Sequence, residues 1–447
     1  MAPTTKELAG AVINASRPRH AAVHLVAQGA SRHVFLSDRS RLYDVDGDTF
    51  DQIDRVLERG DDDAVTDLLR RLGVDLAPAI DPRDSLAPPP VRSLSLNVAQ
   101  RCNLACGYCY ASGGDFGMAA AQMSAEVATT AVRTLLDGAE PGERVNVAFL
   151  GGEPLINRSL IRHVVDDAAR RAGERGVRIS FSITTNGTLV DEDDARFLAA
   201  HRFAVTVSVD GVGAAHDQLR PTRRGRGTYE TIVRRLAPLL AKVDDISLSA
   251  RVTVTPDNLN LTETLDGLAA VGFPSIGFSP MLASPNGTHG LGARDVGVLL
   301  AQMIECGQAY EAALLAGRSH PFANMQTALT EIHRGVHRPY PCGAGAGYLS
   351  VSATGQLSAC HRFVGDQRGA MGDVVSGPDH ATREVWLRER HVDRQSPCTE
   401  CWARYLCGGG CHHEVINRGR PMCDYIRGWL HYCLGAYVRL ADVLPFG

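Results

Sequence analysis

The chain has 447 residues, a formal net charge of −4 and a hydrophobic content of 44%. This length allows two or three domains with well-packed cores. The near-neutral charge gives no electrostatic reason for nucleic acid or an anionic membrane to be the main partner. We find no apolar run of about 20 residues that predicts a membrane span and no signal-peptide pattern at the start. We therefore expect a cytoplasmic protein.

The N-terminal segment, residues 1–90, is predicted to form a small α+β domain and a linker. Apolar runs predict strands at 22–26, 33–36 and 42–45, and helical spacing follows at 50–57 and 64–72. Residues 76–90 are rich in proline and aspartate, which predicts a linker.

A strict alternation of strands and helices begins at Arg92. The predicted strands are 92–98, 144–150, 178–184, 204–210, 246–255 and 275–281. The predicted helices lie near 124–138, 159–174, 191–201, 228–242, 260–270 and 294–315. Six such units predict an α/β fold with a parallel sheet. Periodicity alone leaves open whether that sheet is open or curled.

The alternation stops after about residue 325, and the tail is rich in cysteine and glycine. Because it has few long apolar runs, we expect it to lack a large core and to need metal to fold. Eleven of the twelve cysteines fall near 102–109 or within 342–433. In a reducing compartment such thiols are free to bind metal. Cys306 stands apart in a helical pattern and is expected to be a core thiol.

Cys102, Cys106 and Cys109 have the spacing C-x3-C-x2-C. Three thiolates can hold three irons of a [4Fe-4S] cluster, whereas structural zinc usually takes four ligands and disulfides need an even number. The spacing resembles the signature of radical S-adenosylmethionine (SAM) enzymes. That resemblance implies a partial (β/α)6 barrel whose fourth iron binds SAM. It also implies cleavage of SAM to a 5'-deoxyadenosyl radical.

Short glycine-rich or polar motifs follow three of the predicted strands. They are Gly151-Gly-Glu-Pro154, Thr184-Thr-Asn-Gly187 and Ser208-Val-Asp-Gly211, and each could also be a simple turn or helix cap. The resemblance implies that these motifs and their neighbours bind SAM. The implied cofactor-binding residues are Tyr108, Gly151, Gly152, Glu153, Asn186, Ser208 and Arg220.

A basic run follows the fourth strand and consists of Arg220, Arg223, Arg224 and Arg226. The run is short and interrupted by glycine, and no aromatic residues accompany it as in a nucleic-acid site. We expect a solvated loop beyond Arg220, with contact to an acidic peptide as the alternative.

Eight cysteines lie in the tail, enough for two sites of four thiolates: Cys342, Cys360, Cys398, Cys401, Cys407, Cys411, Cys423 and Cys433. Spacing alone also allows two zinc sites. The pattern resembles the SPASM extension of peptide-modifying radical SAM enzymes, which implies two auxiliary [4Fe-4S] clusters. By that resemblance, cluster I takes Cys342, Cys360 and Cys411, and cluster II takes Cys398, Cys401 and Cys407. We assign Cys423 to cluster II on spacing and Cys433 to cluster I. The predicted domains are then a radical SAM core at 91–325 and a SPASM domain at 326–447.

His361 follows Cys360, at a position where sulfatase maturases have an aspartate base, and is a candidate catalytic residue. The chain in this respect resembles maturases that form thioether or carbon–carbon crosslinks. The segment 423–433 resembles the maturation enzyme of quinohemoprotein amine dehydrogenase. The implied function is thioether crosslinking of a ribosomally made peptide or small protein subunit. A formylglycine-forming sulfatase maturase, a carbon–carbon crosslinking maturase and a non-catalytic, metal-stabilised peptide-binding scaffold are the alternatives.

The resemblance also implies two protein partners. One is the substrate, and the other is an external electron donor such as flavodoxin or ferredoxin. Residues 1–90 resemble a truncated peptide-recognition domain, which captures a precursor peptide by adding it as a strand to a sheet edge. A structural cap on the barrel is the alternative for this segment.

Overall fold

The computed structural model describes residues 5–74, 86–282 and 287–444. The chain divides into two compact units. The first unit comprises Met1–Leu86, Gly292–Cys342 and Arg388–Gly447, and the second comprises Ala87–Leu291 and Gly343–Leu387. The division into 1–90, 91–325 and 326–447 stays a prediction. Most of the predicted linker, residues 76–85, lies outside the described residues.

The first unit begins with a helix, a three-stranded antiparallel sheet and two further helices. The elements are α1 (Thr5–Ala15), β1 (Val23–Gln28), β2 (Ser31–Leu36), β3 (Arg41–Asp44), α2 (Gly47–Glu58) and α3 (Asp62–Arg71), and the strand order is β1-β2-β3. The side chains of Asp46 and Asp61 accept the amides of Thr49 and Ala64, which caps α2 and α3. The predicted strands and helices are confirmed, whereas α1 was not predicted.

The second unit contains the six predicted strands and five of the six predicted helices. It also contains a short helix at Ala214–Leu219 that was not predicted, and the sixth predicted helix, near 294–315, lies in the first unit. The strands are β4 (Ser93–Ala99), β5 (Arg144–Gly151), β6 (Arg178–Thr185), β7 (Ala204–Ser208), β8 (Ser247–Val254) and β9 (Ile276–Pro280). The helices are α4 (Ala125–Asp137), α5 (Arg158–Glu174), α6 (Glu192–Ala200), α7 (Ala214–Leu219), α8 (Tyr229–Leu240) and α9 (Leu261–Val271). The strands are parallel in sequence order, and β9 does not pair with β4, so the barrel is partial as expected.

Two more helices follow in the first unit, α10 (Val296–Leu315) and α11 (Ala323–Arg334). The chain then returns to the barrel sheet through four short strands that the sequence did not predict. They are β10 (Tyr348–Val351), β11 (Gln356–Ser358), β12 (Ala370–Asp373) and β13 (Gly377–Pro378), followed by α12 (His380–Arg390). Because β10 pairs in parallel with β4, they extend the sheet to ten strands.

The tail ends in the first unit with α13 (Arg404–Cys407), α14 (His412–Arg418) and α15 (Cys423–Arg439). Helix α15 packs against α1, α10 and α11 and buries Trp429, Cys433 and Ala436 on its inner face. The expectation that the tail lacks a core is therefore wrong for α15, whose buried residues recur at helical spacing. None of the described helices is long and apolar enough to cross a membrane.

Candidate functional site

The three N-terminal cysteines lie in the loop between β4 and α4, and each is half-buried. Burial raises the pKa of the Cys102 thiol and raises that of Cys106 to about 12. The neighbouring Cys109 thiol raises both values further, since a second negative charge nearby disfavours ionisation. The three thiols are thus neighbours, and a bound iron would replace their protons.

Gly151 and Gly152 bring the end of β5 against the start of the cysteine loop. A Cβ atom at Gly151 would lie 2.4 Å from the carbonyl oxygen of Ala99, and one at Gly152 would lie 2.4 Å from that of Arg101. Gly151 also has a φ of +142°, a conformation that side chains rarely adopt. Any larger residue here would push the cysteine loop out of position.

Glu153 is fully buried and joins the ends of two strands. Its carboxylate accepts the amide of Asn186 at 2.7 Å, the amide of Leu155 at 3.0 Å and the hydroxyl of Thr185 at 2.8 Å. Burial raises the pKa of Glu153, and these hydrogen bonds oppose the shift. The amide of the Asn186 side chain reaches the Cys102 Sγ at 3.7 Å. The structure therefore brings together three residues that the sequence assigned to one site.

Tyr108 and Arg220 meet at Asp210, a buried carboxylate that was not among the predicted site residues. The Tyr108 hydroxyl donates to Asp210. Arg220 Nη1 donates to the Tyr108 hydroxyl at 2.5 Å and lies 3.4 Å from Asp210 Oδ2. Asp210 belongs to the Ser208-Val-Asp-Gly211 motif, so its position at a strand end was the available signal.

Arg220 is 8% exposed, and its Nε is buried without a hydrogen-bond partner among the described residues. An unpaired buried N–H of this kind is costly in free energy. A guanidinium edge pairs well with a carboxylate, such as the one that SAM carries. Arg220 is held in place by the Thr228 hydroxyl, which donates to its carbonyl at 2.8 Å. The donor set and the tight glycine turn fit a SAM-binding site.

Ser208, at the end of β7, is half-buried, and its Cα pairs with that of Arg251 on β8. The structure thus keeps it at the carboxyl end of the sheet, as the sequence predicted. Its contact with SAM stays a prediction.

Four tail cysteines lie together in the first unit. Burial raises the pKa of the Cys398 and Cys423 thiols, and it raises the pKa of Cys407 to about 11. The neighbouring thiols of the group raise each of these pKa values further. The thiols named in these interactions are Cys398, Cys401, Cys407 and Cys423. In the described residues, no three Cys, His, Asp or Glu side chains are positioned to hold one metal ion. A cluster differs from zinc because each of its thiolates binds a different iron.

Cys433 lies elsewhere in that unit, on the buried face of α15. It is 0% exposed, and its Sγ donates to the Met325 sulfur at 4.0 Å. Burial raises the pKa of its thiol well above the usual range. Such a setting suits a core thiol, and assignment of Cys433 to cluster I stays a prediction. Cys342 and Cys411 are exposed in the first unit, and Cys360 is buried in the second.

His361 lies in a chain of polar contacts in the second unit. Its Nδ1 is 3.2 Å from the Tyr348 hydroxyl, which is 2.8 Å from the hydroxyl of the buried Ser95. The Tyr110 ring packs edge-on to the His361 ring, 5.5 Å between centroids. The pKa of Tyr110 is raised by burial and then by the Cys109 thiol, with a smaller effect from Cys360. Tyr110 therefore neighbours both cysteines, which no sequence motif indicated.

Comparison with known proteins identifies the class. The sequence profile of the Radical SAM superfamily matches residues 96–279, from β4 to β9. Residues 96–279 are therefore a radical SAM domain, and the chain is an enzyme.

The individual proteins to which the chain is similar include sulfatase-maturating enzymes. The serine-type anaerobic sulfatase-maturating enzyme of Klebsiella aerogenes is 25% identical over 366 residues, which cover 78% of this chain and 86% of that enzyme. The solved structure of native anSMEcpe with bound AdoMet has a TM-score of 0.65 at 21% identity, covering 78% of this chain and 98% of that one. With AdoMet and the Cp18Cys peptide, anSMEcpe has a TM-score of 0.64 at 20% identity, covering 79% and 99%.

Proposed function

We propose that this enzyme modifies a ribosomally made peptide or a small protein subunit. The observation that carries the proposal is the meeting of Cys102, Glu153 and Asn186 at the carboxyl ends of parallel strands. Parallel-sheet enzymes keep their chemistry at this edge. The structural likeness to anSMEcpe, which has been solved with AdoMet and a peptide, supports a peptide substrate.

When bound, a [4Fe-4S] cluster and SAM supply a 5'-deoxyadenosyl radical at this edge. Cys102, Cys106 and Cys109 would hold the cluster. The backbone at Gly151 and Gly152, with Asn186 and Ser208, would line the SAM site, with Tyr108 beside it, and the free Nε of Arg220 would pair with the SAM carboxylate. The buried Asp210 would orient Arg220 in this role.

We further propose that the product is a thioether between a substrate cysteine and a carbon atom. In such a reaction the substrate carbon would lose a hydrogen atom and the cysteine thiol would lose a proton. An auxiliary cluster bound at the tail cysteines would supply the acceptor for the one electron that is released as the sulfur–carbon bond forms. His361 would accept the thiol proton, because a neutral imidazole is an effective base near pH 7. Its contact with Tyr348 orients the ring.

Auxiliary clusters would bind at the tail cysteines. The group of Cys398, Cys401, Cys407 and Cys423 supports a four-thiolate cluster II. Cys342, Cys360, Cys411 and Cys433 are proposed for cluster I.

A second candidate is oxidation of a serine or cysteine to formylglycine. It is favoured by the serine-type sulfatase-maturating relative, and it is disfavoured by the presence of His361 where those enzymes have an aspartate. Mass spectrometry of a candidate precursor peptide separates the two. A thioether product loses one hydrogen molecule and does not react with a hydrazide probe, whereas formylglycine carries an aldehyde that does.

Residues 1–90 are proposed to bind the substrate. Strand β3 pairs only with β2 and leaves one edge of the sheet open within the described residues, and the Tyr43 side chain on it is 42% exposed. An extended peptide can add to such an edge through backbone hydrogen bonds.

A further inference from the structure

Four arginines beside the cysteine loop form a basic surface that the catalytic site does not use. Arg101, Arg223, Arg224 and Arg226 are all exposed, and none of them forms an ion pair with a described carboxylate. We call these four residues the basic surface. A cluster of unpaired positive charge attracts acidic partners and speeds their encounter.

The basic surface is connected directly to the cysteine loop through Arg223, which is exposed, as expected of a solvated loop, and also contacts the cysteine loop. Its Nε donates to the carbonyl of Cys102 at 2.7 Å, and its Nη2 donates to the carbonyl of Gly113 at 3.3 Å. The amide of Ala105 donates to the Pro221 carbonyl at 2.9 Å. The segment that carries the arginines therefore runs along the loop that would hold the first cluster.

A cavity of about 440 Å³ opens at the same place. Its lining includes Gln100, Arg101, Cys102, Asn103, Asp115 and Arg223. The basic surface thus adjoins the backbone of a predicted cluster ligand, with one hydrogen bond between the Arg223 guanidinium and the Cys102 carbonyl.

We propose that the basic surface docks an acidic electron-carrier protein, which reduces the cluster bound by Cys102, Cys106 and Cys109. One electron passes from the reduced carrier to the cluster, and the carrier is oxidised by one electron. The proposal rests on the proposed function, because it requires a cluster at these cysteines. We favour a carrier over a substrate peptide at this surface for one reason. An electron carrier needs only to approach a ligand of the cluster, which the basic surface allows, whereas a substrate peptide has to reach the radical itself.

The test reverses two charges and leaves the Arg223 contact intact. The variant is Arg224→Glu with Arg226→Glu, and the matched control is Arg133→Glu with Arg234→Glu, both exposed arginines outside the basic surface. Affinity for a purified acidic flavodoxin is measured by calorimetry at low salt. We expect the variant to bind about tenfold or more weakly, the control to bind normally, and wild-type affinity to fall as salt increases.

Cluster reduction by photoreduced deazaflavin, a small uncharged donor, is followed by absorbance in the same proteins. We expect equal reduction of the wild type and both variants, which shows that the cluster is intact. Unchanged flavodoxin affinity, an equal loss in the control, or a loss of substrate-peptide affinity instead would overturn the docking proposal. If the charge-reversed variant folds poorly, flavodoxin affinity is measured instead in Arg224→Gln with Arg226→Gln. The salt dependence of the wild-type affinity then provides the second test. A wild type without any reducible cluster would instead contradict the proposed function.

Discussion

The backbone amide of Asn186 donates to the carboxylate of Glu153 across 2.7 Å and so joins the ends of β5 and β6. The same carboxylate accepts from Thr185 and Leu155, and the Asn186 side chain reaches Cys102. The buried carboxylate of Glu153 thus fixes the ends of β5 and β6 relative to the cysteine loop. This arrangement makes the geometry of the site depend on Glu153.

We predict that Glu153→Gln weakens both folding and SAM binding. The glutamine amide would face a hydrogen-bond donor, leaving a buried polar group unpaired at a cost of about 1–3 kcal/mol. Denaturant unfolding and SAM titration measure the two effects. The control is Glu143→Gln, at a carboxylate on the surface of the same unit. Equal stability and SAM affinity in wild type and Glu153→Gln would show that this carboxylate does not organise the site.

The lowered pKa of His216 should make the free energy of unfolding depend on pH. Burial, with a smaller effect from Arg220, lowers the pKa of His216 to about 3. Because the unfolded histidine titrates near 6.5, its contribution to stability is present above that pH and is lost as the pH falls towards about 3. The difference in unfolding free energy between wild type and His216→Gln should therefore narrow below pH 6.5, by at most about 1.4 kcal/mol per pH unit. If the unfolding free energies of the two proteins change with pH in parallel, the pKa of His216 is not lowered.

Cys423→Ser is expected to remove about four iron atoms, those of one auxiliary cluster. Cys306→Ser is the matched control, since Cys306 is fully buried in α10. Iron analysis after anaerobic reconstitution measures both. An unchanged iron content in Cys423→Ser would exclude Cys423 as a ligand.

Cys433→Ser in the same assay decides the assignment of Cys433. Loss of iron supports Cys433 as a ligand of cluster I, and retention of iron indicates a core thiol.

The open edge of β3 offers a test of peptide recognition without deleting residues 1–90. Deletion is a poor test because Trp402 donates to the carbonyl of Ser16 at 2.9 Å, so the segment also supports the rest of the first unit. Val45 donates to the Arg32 carbonyl at 3.0 Å, towards β2. The amide of Asp44 therefore points to the open edge, since amides alternate along a strand.

We expect Asp44→Pro to weaken substrate-peptide binding while SAM cleavage without substrate continues, because proline removes the outward amide. Asp44→Asn is the control, since it loses the carboxylate that lies 2.6 Å from His33 Nδ1 but keeps the backbone amide. Fluorescence anisotropy of a labelled precursor peptide measures the affinity. Unchanged binding in Asp44→Pro, or equal weakening in both variants, would argue against strand addition at this edge.

Much of the fold could be predicted from the sequence because the six βα units combine apolar strands with helices of clear period. Strands β10 to β13 could not, because they have only two to four residues each and lie in a cysteine- and glycine-rich segment. The cysteine loop and the glycine turn are local in sequence and were found. The pairing of Asp210 with Arg220 and the contact of Arg223 with Cys102 depend on loops folding back, which spacing does not encode.

Reductive cleavage of SAM is the reaction expected of a cluster held by Cys102, Cys106 and Cys109. Anaerobically reconstituted enzyme is reduced with SAM present, and 5'-deoxyadenosine is measured by chromatography, with iron content determined on the same samples. We predict that the wild type forms 5'-deoxyadenosine and that Cys106→Ala forms none, having lost about four iron atoms, those of one cluster, while keeping its auxiliary iron. Normal 5'-deoxyadenosine formation by Cys106→Ala, or none by an iron-loaded wild type, would contradict the account.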